Sequence, residues 1–155
     1  MGLFDDLLNE EVQTASSFKL TRFEAIYGLL LSAASSDGTY SEAEQKLVIA
    51  QISRMKSFVE YYLSDPAAVN DVEQRIYAIA AVTGLDGFVD LCISFIPAEI
   101  RKSVYVNVVD MLFADGKPDK TELEFMDAVY RKLGIPADDA LEIVNVIKLK
   151  NALNY

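Results

Sequence analysis

The chain has 155 residues, 52% of them apolar, and a formal net charge of −10 from 24 acidic and 14 basic side chains. That length suits one domain with a sizeable core, and the charge argues against nucleic acid and anionic lipid, whose phosphates it would repel. One cysteine, Cys92, and no histidine exclude within this chain an internal disulfide, a zinc site of the Cys/His kind and a histidine-assisted nucleophile.

Along the chain, Leu3, Phe4, Leu7, Leu8 and Val12 form an amphipathic pattern that predicts a short helix over 3–16, packed on the body. Met1 to Asp6 carries no basic leader pattern, and the richest apolar region, Ile76 to Ile96, is cut by Asp86 and Asp90. A cytoplasmic protein without direct membrane insertion is the expectation. Thr21-Arg22-Phe23-Glu24 is a capping box opening a helix through Ser36. Its apolar residues run all round, as in a central buried helix, and Gly28 permits close packing.

A second helix runs from Ser41 toward Met55, and Asp65-Pro66 marks a break. Asp71 then caps a helix through Thr83, which Gly84 stops. Leu85-Asp86-Gly87-Phe88 reads as a turn before a short helix from Phe88 to Ile96, with Cys92 as a buried structural thiol. Pro97 opens a helix ending near Ala114, and Asp119 caps another ending at Gly134. Pro136, Asp138 and Asp139 start the last helix, whose apolar face reads Leu141, Val144, Ile147 and Leu149. Lys148 and Lys150 near its end complement the helix dipole. Strand alternation is lacking, so the expected fold is all-α: one domain over 1–155, a compact bundle of about seven to eight helices.

One stretch occurs twice. Asp37-Gly38-Thr39-Tyr40-Ser41-Glu42-Ala43-Glu44 is followed 78 residues later by Asp115-Gly116-Lys117-Pro118-Asp119-Lys120-Thr121-Glu122. The flanks match too: Tyr27 with Tyr105, Leu47 with Phe125, Ala50 with Ala128 and Met55 with Leu133. This predicts two related helix–loop–helix units, about 20–56 and 98–134, with the acidic loops at one end of the bundle.

Turn and cap chemistry accounts for most of the motif: Gly38 and Gly116 turn the chain, Ser41 and Asp119 cap, and Glu44 and Glu122 complete capping boxes. Asp37 and Asp115 have no such structural duty. Asp-Gly-x(5)-Glu also matches the second half of an EF-hand loop, but the first half fails, with Ala33 and Ser35, or Met111 and Phe113, where ligands belong. Two half-sites facing each other would instead pool Asp37, Glu44, Asp115, Asp119 and Glu122, hard oxygen ligands suited to calcium or magnesium.

Ala114-Asp115-Gly116, then Glu122 and a helix ending Arg131-Lys132-Leu133-Gly134, resembles the tellurite-resistance TerB family, whose helical module also occurs in DjlA-type co-chaperones. The first copy departs, with Ser36 in place of the usual alanine and Ser41 uncharged. The resemblance spans roughly residues 20–150 and implies an all-helical fold without enzymatic activity. It also implies a role in bacterial stress resistance within a membrane-associated complex of other proteins. It further implies divalent metal at the acidic loops, carried here onto Asp37, Glu44, Asp115, Asp119 and Glu122. The alternatives are a metal-free module that binds a protein through its acidic face, and a metal-dependent hydrolase using the clustered carboxylates.

Overall fold

The Thr21 hydroxyl accepts from the Glu24 backbone N–H, and the Glu24 carboxylate accepts from the Thr21 N–H. This reciprocal box satisfies two orphan donors and starts α1 (Arg22–Ala34). The computed structural model describes residues 18–60 and 64–154, so the helix expected over 3–16 lies outside the described residues. From Glu24 to Ala33 every residue of α1 is buried, as its all-round apolar character requires. Around it stand α2 (Glu42–Ile52), α4 (Pro66–Thr83), α5 (Leu85–Ser94) and α6 (Arg101–Leu112). A single helical turn, α3 (Lys56–Phe58), follows α2. The chain continues through α7 (Lys120–Lys132) and α8 (Ala137–Lys150), with 3-10 turns at Ala98–Ile100 and Ala152–Asn154. Among the described residues the fold is all-α, with eight helices and no strand. None of these helices is by itself long and apolar enough to cross a membrane.

The duplication is visible in the helices. Shifting α1 and α2 by 78 residues lays Ala34 on Leu112, the last residue of α6, and Glu42 on Lys120, the first of α7. Tyr27 and Tyr105, equivalent by that shift, are both buried in the core. Where α1 crosses α5, Gly28 is needed: a Cβ there would lie 2.7 Å from Phe88 Cζ and 2.9 Å from Cys92 Sγ. Cys92 is fully buried, and burial pushes its thiol up to about 12.

Two boundaries and one buried face differ from the sequence reading. The helix assigned to an Asp71 cap begins six residues earlier. Asp65 accepts from the Ala67 N–H at 3.0 Å with Pro66 at the first helical position, so the apparent break is a start signal. Asp86-Gly87 is not a turn. Gly84, at φ 76°, both ends α4 and precedes α5, and the two helices bend by 118° there. The last helix buries Ala140 and Ile147, with Ile143 and Val144 half-buried, whereas Leu141 and Leu149 are exposed. Small Ala140 lets α8 approach its neighbours, and Leu141, one residue on, is rotated about 100° away from that contact.

Candidate functional site

Each acidic loop is built from its own side chains. Asp37 Oδ1 accepts from the Thr39 N–H at 3.0 Å and the Thr39 hydroxyl at 2.9 Å. Those bonds, the backbone one first, hold the Asp37 carboxyl below its usual range. Gly38, at φ 87°, turns the chain into the Ser41 cap. Ser41 Oγ then accepts from the Glu44 N–H at 3.2 Å, and Glu44 Oε2 from the Ser41 N–H at 3.0 Å. The second loop repeats the capping box. Asp119 Oδ1 accepts from the Glu122 N–H at 2.8 Å, and Glu122 Oε1 from the Asp119 N–H at 3.1 Å. Gly116 has φ 135°.

The two loops meet. Asp37 and Glu44 from the first and Asp115 and Glu122 from the second line one pocket of about 100 Å³, walled by Leu47, Met111 and Leu112. Asp119 is not in its lining; its carboxylate caps α7. Burial, with Asp119 and Asp115 as neighbouring negative charges, raises the Glu122 carboxyl above its usual range. Ser36, also in the wall, has a buried hydroxyl oxygen without a hydrogen-bond partner. The pocket therefore offers hard oxygen donors, clustered negative charge and an unsatisfied hydroxyl, the chemistry that suits calcium or magnesium. Among the described residues, however, no three acidic, cysteine or histidine side chains are grouped closely enough to hold a metal ion.

Two buried carboxylate networks escaped the sequence reading. Glu73 of α4 is 6% exposed and accepts from the Tyr27 hydroxyl. Burial, then this bond to Glu73, pushes the Tyr27 hydroxyl well up. Tyr40, from the first acidic loop, sets its hydroxyl against that of Tyr77 and near Glu73, and burial pushes it up. Beside them Arg75 pairs with Glu24 and donates to the Lys19 carbonyl at 2.8 Å. The second network centres on Asp110 of α6, which is 8% exposed. It accepts from Lys150 Nζ at 2.8 Å, Asn151 Nδ2 at 2.9 Å and Gln51 Nε2 at 3.4 Å, with Arg54 at 3.5 Å. Comparison of the repeats hides it, since Ser32 stands at the equivalent position of the first unit.

No protein-family model matches the chain, and neither a curated protein nor a solved structure matches it significantly.

Proposed function

We propose that the chain is a non-enzymatic, TerB-like stress-resistance protein of the cytoplasm. In this reading its paired acidic loops take a divalent cation and present the loaded end to other proteins of a resistance complex. One observation carries the reading: carboxylates from two duplicated loops, Asp37 and Glu44 with Asp115 and Glu122, line one pocket. The raised Glu122 carboxyl supports it, because a cation relieves the repulsion that Asp115 and Asp119 impose there. The capping boxes hold one oxygen each of Glu44 and Glu122 and leave the other for a ligand. Asp37 and Asp115 are exposed at the rim. Because the carboxylates are not yet convergent, binding is coupled to loop movement, and affinity belongs with weak calcium modules, Kd about 0.1–1 mM.

Calorimetric titration of chelator-stripped protein with calcium, then magnesium, tests this. Heat saturating near one or two ions, and lost in an Asp115→Asn/Glu122→Gln double variant, is the expected result. Glutamine at position 122 still completes a capping box, so the variant keeps its fold and isolates the charge. A second reading is favoured by the lack of a convergent ligand group: the loops are turns and caps, and the acidic face itself docks a basic partner. No heat from the wild-type protein would select it.

A further inference from the structure

We propose that residues 3–11 of this chain lie as a helix in the groove between α1, α3 and α6. The groove has a volume of about 260 Å³, and Phe23, Met55 and Ile100 line it while only half-buried. Phe23 meets buried Phe58 edge to face at 5.0 Å, and Val104 closes the floor from α6. Among the described residues the one charge in the lining is Arg22, the first residue of α1, whose guanidinium sits over the Phe23 ring at 5.2 Å from its centre. Arg22 is exposed and has no acidic partner among the described residues. The groove is therefore apolar, free of acid and basic at the end where α1 begins.

Pattern, charge and reach select the occupant. Leu3, Phe4, Leu7 and Leu8 recur at three- and four-residue spacing, the pattern of one helical face. Glu11 follows on that face, one turn beyond Leu7 and Leu8. An apolar face ending in a carboxylate is the counterpart of an apolar groove ending in a guanidinium. Residues 1–17 carry Asp5, Asp6, Glu10 and Glu11 and no base. The other apolar grooves repel such a segment: Asp139 and Glu142 line the one between α6 and α8, and Asp127 lines the one between α7 and α8. The chain is fixed at Lys19, whose carbonyl accepts from Arg75, and at buried Leu20. Residues 12–18 then form the connection, which spans about 25 Å when extended, more than the roughly 20 Å of α1. Tethered so closely, the segment stands at an effective concentration on the order of millimolar, ahead of any free apolar segment.

Paramagnetic relaxation mapping of the full chain by NMR, in chelator so that no cation contributes, decides this. Cys92 is fully buried, so an Asn9→Cys variant takes a nitroxide at that one place, on the side of the segment opposite its apolar face. The amide signals of Met55, Ser57 and Ser103 in the groove should lose several-fold more intensity than those of Val82 on α4 or Leu141 on α8. Adding Glu11→Arg should weaken that loss several-fold, and adding Arg22→Glu as well should restore it. Losses centred on Val82 or Leu141 overturn the proposal, as do losses confined to the residues next to the segment in sequence. A charge exchange that fails to recover the signal overturns it too. So does a loss seen only when nitroxide and isotope label are on separate molecules, which would make the contact one between copies.

Discussion

Gly28 shows how tightly the centre of the molecule is set. Its missing Cβ leaves room for Phe88 and Cys92 of α5, both essentially fully buried, so neither has space to retreat. Gly28→Ala should gain about 1 kcal/mol in helix propensity yet lose about 1–3 kcal/mol to overpacking. The net expectation is a lower denaturation midpoint at unchanged slope. Two tyrosines give a contrasting pair. Tyr27→Phe removes the donor to buried Glu73 and should cost about 1.5–3 kcal/mol. Tyr40→Phe removes a hydroxyl set against that of the exposed Tyr77, leaves no buried carboxylate without its donor, and should cost no more than about 1 kcal/mol. Urea unfolding of the two variants side by side checks both, and equal losses would contradict the different roles assigned to them.

Helix starts were the most legible feature of the sequence, because a capping box is a local pattern confined to four residues. Thr21, Ser41 and Asp119 all form the boxes their spacing announced. The start of α4 was misread because proline forbids a helix interior but suits a helix beginning. The face of α8 was misread because Leu141 and Leu149 satisfy an apolar period while a smaller residue, Ala140, sets the contact. At the candidate site, the acids of each loop could be read, but their meeting across a pocket depends on how two distant helix pairs dock. The partners of Glu73 and Asp110 lie 40 or more residues away in sequence, beyond any local pattern. The acidic loops carry their own pH signature. Because the folded Glu122 carboxyl is raised, its ionisation opposes folding: its stabilising contribution is complete below about pH 4.3 and is lost as pH rises through the raised value. Calcium, which needs the ionised form, should bind more weakly as pH falls through that same range, as calorimetry at a series of pH values would show.

For the molecule as a whole, Asp110 is the tie between the two repeats and the end of α8. Burial works against its charge, but hydrogen bonds from Asn151, Lys150 and Gln51 outweigh it and hold the carboxyl below its usual range. The sign follows: this contribution is present above about pH 3.9 and is lost as pH falls through the depressed folded value. Asp110→Asn should cost about 1–3 kcal/mol at neutral pH and flatten the acid limb of the stability profile, measured by thermal unfolding at stepped pH. Cys92 supplies a readout for all such comparisons. A thiol with no exposed surface, raised to about 12, is shielded from alkylation until α5 lifts from α1. The chain thus carries an internal stopwatch, and the rate at which iodoacetamide labels its single thiol times each opening of the core.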